Sequence, residues 1–302
     1  MLYNRRSFVS LSASLLAAPA FSLAAETQGR IETLPAFHSD GMGNLRIRAY
    51  LPPSYDQTEH AHRTLYMLDG QYAFAGDSNG TNSAADRRVA QLIEAGTIKP
   101  TIIVAVDHLE DDRFLQYMPQ TIYDRAGPVT RAVVESEVAR VGASSLQSAQ
   151  FVQFLKEELK PFVDATYRVS RDRLDTAIFG ASMAGVMAGA IFVEAQQVFG
   201  RAACMSPNWA VYDKHMIDEP QLPSLWAEYF SQLGPPAGQL WLDHGTQMMD
   251  AGMRPHQAAI ANALGDLGWQ RACNLQTRVY DAGHAFAETA FQMDEVLAWL
   301  LA

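Results

Sequence analysis

The segment over residues 176–189, TAIFGASMAGVMAG, constrains the fold of this chain more than any other. A short apolar run ends at Gly180, Ser182 follows, and the next residues are small and compatible with a helix. The pattern predicts a strand, a sharp turn and a helix with the serine at the apex, although Ala184 departs from G-x-S-x-G by one methyl group. Such a turn exposes a serine as a nucleophile and directs the Met183 N–H towards a developing oxyanion. An ordinary Gly/Ser turn shares the pattern, so the interpretation depends on partner residues elsewhere in the chain.

Composition and charge limit the classes of partner. The chain has 302 residues, of which 48% are hydrophobic and 19% charged, which is enough for one sizeable core. Its formal net charge of -10 argues against nucleic acid and against anionic membrane surfaces, since both bind basic faces. Beyond the N-terminus no apolar run reaches membrane-spanning length, so we expect no membrane insertion of the mature chain. The oligomeric state is left open.

The N-terminus is typical of an export signal. Arg5 and Arg6 precede an apolar stretch over residues 11–23 that ends in two alanines, which is the order of regions in a signal peptide. The paired arginines favour the twin-arginine route, with an ordinary Sec signal as the alternative. We therefore expect residues 1–25 to direct export to the periplasm or beyond, and residues 26–302 to form a single catalytic domain.

Cysteines and histidines give no support to a metal site. The two cysteines, Cys204 and Cys273, lie in or beside apolar runs, which favours free, buried thiols over a disulfide. The eight histidines are scattered and include no H-x-x-x-H pair. We expect neither a metal nor an organic cofactor.

Apolar runs of strand type alternate with helical segments, which predicts a mostly parallel central sheet with helices on both faces. The predicted strands are residues 45–51, 64–68, 101–106, the run before Ser182, 238–243 and 274–280. The predicted helices are residues 84–94, 144–163, the run after Ser182, 254–267 and 286–301. Two long segments, 108–142 and 207–236, are predicted to be irregular insertions that cover the site.

The candidate general base is His284. It follows a predicted strand and precedes a predicted helix, so a turn there can bring the imidazole over the carboxyl edge of the sheet. Gly283 gives this turn its conformational freedom. The rival, His244, stands between Asp243 and Gly245, where shaping a turn is the favoured interpretation.

The candidate acid should lie between the serine and the histidine, because this fold orders the residues Ser, Asp or Glu, His. Asp243 and Asp250 both follow the strand that begins near residue 238. Asp243 belongs to the strand end and is expected to cap the backbone of Gly245 and Thr246, whereas Asp250 can reach across the loop. We favour Asp250 and keep Asp243 as the alternative; Asp281 is too close to the histidine in sequence.

The second oxyanion donor should come from the loop after the strand over residues 64–68. That loop reads Asp69-Gly70-Gln71, in which Gly70 permits a close backbone approach. The N–H of Gln71 is the candidate donor.

These motifs together resemble the esterase D/enterochelin esterase-like family of α/β-hydrolases over roughly residues 31–301. The segments that carry the resemblance are YMLDGQ at 66–71, RFLQYMP at 113–119, FLKEELKPFVDATYR at 154–168, GASMAG at 180–185, MSPNW at 205–209 and DHGTQMMD at 243–250. The resemblance implies Ser182 as nucleophile and His284 as base. Many members carry a carboxylate two or three residues after the glycine of Gly-Thr; here those positions are Gln247 and Met248, which leaves Asp250 as the acid.

The resemblance implies a serine carboxylic-ester hydrolase that acts on a small-molecule ester, with siderophore trilactones, acylated sugars, feruloyl esters and small thioesters all compatible. One alternative is acyl transfer to a sugar, as in the mycolyltransferases, which use the same triad. Another is a catalytically silent relative that only binds a ligand, an interpretation that Ala184 and the displaced position of the acid favour.

Overall fold

The structure is a computed structural model that describes residues 29–34, 37–109, 112–211, 219–285 and 290–302. The predicted export signal over residues 1–25 lies outside the described residues. In the described ranges, every helix falls short of the length and apolar character that a membrane span requires.

A twisted eight-stranded sheet in the order β1-β4-β6-β5-β7-β8-β9-β10 forms the centre of the molecule. Its strands are β1 (Arg30–Thr33), β4 (Ile47–Leu51), β5 (Arg63–Leu68), β6 (Thr101–Val106), β7 (Thr176–Ala181), β8 (Arg201–Met205), β9 (Gln239–Gly245) and β10 (Leu275–Tyr280), while β2 (Phe37–Ser39) and β3 (Gly43–Leu45) form a separate hairpin. The six strands from β5 to β10 pair in parallel, and β4 pairs antiparallel with β6 and β1. The predicted mostly parallel sheet is confirmed.

Helices cover both faces of the sheet. They are α1 (Ala85–Glu94), α2 (Arg113–Tyr117), α3 (Gln120–Arg125), α4 (Pro128–Arg140), α5 (Ser148–Gln153), α6 (Lys160–Thr166), α7 (Met183–Glu194), α8 (Leu222–Ser231), α9 (Arg254–Asp266) and α10 (Met293–Leu301). Alternate residues of a strand point to opposite faces: Leu65 and Met67 pack with α1 and α10, whereas Tyr66 and Leu68 pack with the core that the other helices cover. The predicted α/β-hydrolase architecture is thereby confirmed.

Two of the sequence-based expectations about connecting segments are wrong. The segment over residues 108–142 contains α2, α3 and α4, and the described part of 207–236 contains α8. The helices α2 and α3 have five and six residues, which are too few for a recognisable periodic pattern, and the 13-residue α4 buries only Thr130 and Val134, so it shows no continuous apolar stripe. Prolines at the first turns of α4 and α8 start helices here instead of breaking them.

Three other expectations differ in detail from the structure. The helix predicted over 144–163 is α5 and α6 joined by a π-helical turn at Phe154–Leu159. The helix predicted from residue 286 begins at Met293, after a 3-10 turn, with residues 286–289 outside the described ranges. Both cysteines are free, as predicted, but Cys273 is exposed because β10 begins two residues later.

Candidate active site

Ser182 lies at the apex of the turn between β7 and α7. Its backbone has φ 60° and ψ -127°, a conformation that side chains rarely adopt and that surrounding contacts must hold. One such contact is the hydrogen bond from the Ser182 N–H to the Met205 carbonyl oxygen, at 3.0 Å. The hydroxyl of a half-buried serine is therefore held at the carboxyl edge of the sheet.

The residues around Ser182 explain why the turn needs small side chains. A Cβ atom added at Gly180 would lie 2.1 Å from the carbonyl oxygen of Ala184, so this position admits only glycine without a backbone shift. A Cβ atom added at Gly185 would lie 3.1 Å from the Gly180 oxygen and 3.2 Å from the Met205 oxygen. The departure from the glycine motif falls on Ala184, whose methyl group is fully buried.

His284 contacts the serine directly. Its Nε2 lies 2.7 Å from the Ser182 Oγ, across 102 residues of sequence, because β7 and β10 end at the same edge of the sheet. The rival His244 is part of β9, and its Nδ1 lies 2.7 Å from the carbonyl oxygen of Gly245. The structure thus brings the predicted base, and not its rival, to the serine.

Asp250 contacts the other nitrogen of the imidazole. Its Oδ1 lies 2.5 Å from the Nδ1 of His284, and its Oδ2 accepts hydrogen bonds from the Gly245 N–H at 2.9 Å and from the Ser206 hydroxyl. Burial raises the pKa of this carboxyl, but the hydrogen bonds from His284 and Ser206 outweigh it and hold the pKa below the ordinary value. Asp250 is therefore ionised at neutral pH, although it is fully buried.

Asp243 does not contact the imidazole. Its Oδ1 accepts a hydrogen bond from the Ser206 N–H at 2.6 Å, and its Oδ2 accepts one from the Trp241 Nε1 at 2.6 Å. The expectation that it caps Gly245 and Thr246 is wrong, because the Gly245 N–H donates to Asp250 instead. Burial raises the pKa of Asp243 to about 7, and the nearby Asp250 carboxylate adds to this shift.

Ser206 links the two carboxyl groups, and sequence reasoning assigned it no role. Its N–H donates to Asp243 and its hydroxyl donates to Asp250, with a left-handed backbone of φ 42° that lets both groups point to the same side. The only sequence signal is the Met-Ser-Pro segment that the resemblance includes, and no local pattern reveals contacts with carboxyl groups 37 and 44 residues later.

Gln71 lies in the 3-10 turn Gly70–Tyr72, directly after β5, which is the neighbour of β7 in the sheet. The first N–H groups of a helix have no hydrogen-bond acceptor within that helix. The N–H groups of Gln71, in the first turn of its 3-10 helix, and of Met183, the first residue of α7, are therefore not used inside their own helices. A Cβ atom added at Gly70 would lie 2.6 Å from the Val106 nitrogen, which explains the glycine before the candidate donor.

Asp69 immediately precedes this turn, and the side chains of Arg113 and Tyr117 both contact it. Its carboxylate accepts two hydrogen bonds from Arg113, from Nε at 2.9 Å and from Nη2 at 2.6 Å. Its N–H donates to the hydroxyl of Tyr117 at 3.1 Å. These contacts support a left-handed residue of φ 55° immediately before the turn. In the sequence, the segment RFLQYMP at 113–119 carries only the family resemblance, and no local pattern indicates what Arg113 and Tyr117 contact.

A pocket of about 460 Å³ opens beside Ser182 and His284. Its lining combines apolar side chains, from Met67, Phe179, Met205 and Met293, with polar ones, from Tyr72, Thr81, Ser83 and His108. A pocket of this size and mixed lining suits one small organic molecule. Within the part of the chain that the structure describes, no group of three or more His, Cys, Asp or Glu side chains is arranged to hold a metal ion.

Comparison with known proteins defines the family. The model of the family described as "Putative esterase" matches residues 41–300, which is most of the chain. The chain belongs to this esterase family. The esterase is therefore an enzyme that hydrolyses carboxylic esters. No protein among the curated sequences matches it significantly.

Solved structures share the fold of the esterase at low sequence identity. A ferulic acid esterase superposes with a TM-score of 0.62 at 17% identity, over 91% of this chain and 98% of that one. An IroE-like serine hydrolase from Shewanella oneidensis superposes with a TM-score of 0.63 at 17% identity, over 90% of this chain and 80% of that one. The feruloyl esterase module from Clostridium thermocellum, complexed with sinapinate, superposes with a TM-score of 0.60 at 15% identity, over 91% of this chain and 89% of that one.

Proposed function

We propose that the esterase works by a Ser182–His284–Asp250 triad through a covalent acyl-enzyme intermediate. One observation carries the proposal: an unbroken chain of hydrogen bonds runs from the Ser182 Oγ to His284 at 2.7 Å and from His284 to Asp250 at 2.5 Å. A serine hydroxyl needs such an adjacent base, itself held by a third group, to act as a nucleophile at neutral pH.

In the first half of the reaction, the Ser182 Oγ attacks the ester carbonyl carbon while its proton passes to the Nε2 of His284. The carbonyl oxygen becomes an oxyanion, which the N–H groups of Met183 and Gln71 stabilise. The tetrahedral intermediate then collapses, the bond to the leaving alkoxide breaks, and His284 gives that alkoxide its proton. The product is the acyl-enzyme.

In the second half, His284 takes a proton from water as the water attacks the acyl carbon. The same two N–H groups stabilise the second oxyanion, and the serine recovers its proton when the acid product leaves. Asp250 acts throughout by accepting the Nδ1–H bond, which keeps the proton-accepting lone pair on Nε2 and stabilises the imidazolium.

The substrate that fits this site is a small-molecule ester. The pocket beside the serine has about 460 Å³ of space and is lined by both apolar and polar side chains, which suits an acyl group of moderate size with a polar substituent. Acyl transfer to a polyol would use the same residues, and the products formed with and without such an acceptor distinguish the two reactions.

We also infer that residues 1–25 are removed on export and that residues 26–302 form the catalytic domain. The basic, apolar and small-residue regions of the N-terminus support this inference. N-terminal sequencing of the protein from cell fractions tests it, because an exported protein should begin near Glu26 and be found outside the cytoplasm.

The triad is tested by labelling with a fluorophosphonate and by Ser182→Ala. The wild type should bind one equivalent of the label with loss of esterase activity, and the variant should bind none. The variant should keep the melting temperature of the wild type and lose at least about a hundredfold in kcat. A variant that retains more activity than that would refute Ser182 as the nucleophile.

A further inference from the structure

A buried arginine outside the triad contacts the loop that carries the candidate oxyanion donor. Arg48 lies in β4, two strands away from β5, and only 4% of its surface is exposed. Its Nη2 donates a hydrogen bond of 2.5 Å to the carbonyl oxygen of Gly70. A buried guanidinium requires compensating partners, so this position calls for a physical explanation.

Asp77 fixes the orientation of the guanidinium. The Nη1 of Arg48 lies 2.8 Å from its Oδ1, and the Nη2 lies 2.9 Å from its Oδ2, so the pair is bidentate. Asp77 also accepts a hydrogen bond from the Phe74 N–H at 2.8 Å, and the ring of Phe74 lies 4.9 Å from the guanidinium carbon. One proton of Nη2 is thus used for Asp77, and the other is directed at the Gly70 oxygen.

The peptide group that accepts this proton is the one that contains the Gln71 N–H. In a trans peptide the C=O and N–H bonds lie in one plane and point in opposite directions. A group that fixes the Gly70 oxygen therefore also fixes the direction of the Gln71 N–H. A charge-assisted bond to the oxygen also polarises the peptide, which makes the N–H a stronger donor.

We propose that Arg48 is a positioning residue that orients and polarises the Gly70–Gln71 peptide as one arm of the oxyanion hole. The inference rests on the proposed function, in which Gln71 donates to the oxyanion. The Ala73 N–H also donates to the Gly70 oxygen, at 3.0 Å, but it is neutral and belongs to the same short turn. Arg48 adds the positive charge and ties the turn to a different strand of the sheet.

Arg48→Lys is the sharpest test, because lysine keeps the charge but lacks the fork that reaches Asp77 and Gly70 together. Arg63→Lys is the matched control. Arg63 is also a buried arginine, 7% exposed, that pairs with an aspartate, Asp175, and donates to backbone carbonyl groups, but it lies at the opposite end of β5. Both variants should lose stability, whereas only Arg48→Lys should lose oxyanion stabilisation.

The readout is kcat and KM for a carboxylic ester and for its thionoester, in which sulfur accepts hydrogen bonds poorly. We expect Arg48→Lys to lower kcat for the ester by about tenfold or more with KM nearly unchanged, since loss of a whole donor costs about a hundredfold to a thousandfold. The preference for ester over thionoester should fall by a similar factor. Arg63→Lys should keep the wild-type preference.

The double variant Arg48→Met/Asp77→Asn covers the case in which Arg48→Lys does not fold, because it removes both charges of the bidentate pair. Asp107, whose Oδ1 lies 3.9 Å from the Arg48 Nη2, keeps Arg46 as a partner at 3.4 Å. A folded Arg48 variant that keeps the wild-type ester preference and kcat within about twofold would overturn the proposal. Ser182→Ala is measured in parallel. If Ser182→Ala is inactive, an unchanged Arg48 variant refutes only the role of Arg48. If Ser182→Ala is active, both the proposed function and this inference are refuted.

Discussion

The change Asp250→Asn gives the most informative test of the site, because the contacts of the side chain fix how the new amide must sit. One oxygen of Asp250 faces His284, and the other receives the Gly245 N–H at 2.9 Å and the Ser206 hydroxyl. An amide has a single acceptor oxygen, and the Gly245 N–H cannot rotate away. The oxygen should therefore stay with Gly245, which puts the amide NH2 against the imidazole.

The consequence for catalysis is a change of tautomer. An NH2 group facing the Nδ1 of His284 makes that nitrogen an acceptor, so the proton moves to Nε2. An Nε2 that carries a proton cannot accept the one from the Ser182 Oγ, and the imidazolium also loses its counter-charge. The same loss in a serine triad lowers kcat by about ten-thousandfold, and we expect a comparable factor here. In the opposite orientation the amide NH2 would face the Gly245 N–H. Two donors in contact leave a buried hydrogen bond unmade, which would lower the free energy of unfolding by about 1–3 kcal/mol.

Asp243→Asn is the matched control, since it makes the same change at a buried carboxyl that also contacts Ser206. Both oxygens of Asp243 accept N–H donors, so the amide must oppose one of them and lower stability by about 1–3 kcal/mol. Because Asp243 does not contact the imidazole, kcat should stay within about tenfold of the wild type.

The assay for both variants is kcat with a chromogenic short-chain ester, together with the melting temperature. If Asp243→Asn abolished activity at an unchanged melting temperature while Asp250→Asn was benign, the acid assignment would be wrong. If both were benign, the enzyme would work by a Ser182–His284 dyad.

Other changes test the same reasoning at single positions. His284→Ala should cost nearly as much kcat as Ser182→Ala, and the double variant should be little worse; multiplied losses would contradict a joint role. Gly180→Ala should prevent stable folding, because its Cβ would lie 2.1 Å from the Ala184 oxygen, which thermal melting and soluble yield would check. Ala184→Gly should keep kcat within about tenfold, at a helix cost of about 1 kcal/mol, whereas a gain of several hundredfold would indicate a nearly silent natural enzyme. Burial raises the pKa of Asp243 to about 7, so this carboxyl lowers the free energy of unfolding as pH rises from about 4 to about 7, whereas burial of His256 lowers its pKa to about 4 and has the opposite effect over most of that range. The melting temperature of Asp243→Asn relative to the wild type should therefore rise with pH between about 4 and about 7.

Local patterns predicted the elements that bear the site. The strand at Thr101–Val106 has the predicted bounds, and the other predicted sheet strands and the helices α1 and α9 differ from their predictions by a few residues at most. The structure also brings Ser182, His284 and Asp250 within hydrogen-bond distance, although their catalytic roles stay predictions. These features are readable because each rests on a local apolar run or on a motif at a strand end.

The remaining features depend on contacts between distant residues. Arg48 precedes the peptide that it contacts by 22 residues, and Ser206 precedes its two carboxyl partners by 37 and 44. A buried arginine in a strand and a serine before a proline have no pattern that separates them from surface residues. Only the sheet order, which puts β4 near β5 and β8 beside β9, reveals what they contact.

The position of β10 in the sheet links catalysis to the local opening of the fold. Among the described strands it is the last, with β9 as its neighbour, whereas β7, which precedes Ser182, is flanked by β5 and β8. Strands at the periphery of a sheet open at lower free energy than central ones. The strand that precedes His284 is therefore less stable than the strand that precedes Ser182. Partial unfolding that separates β10 from the sheet displaces His284 while most helices persist. Along a denaturant titration, enzymatic activity should disappear before the far-ultraviolet circular dichroism does.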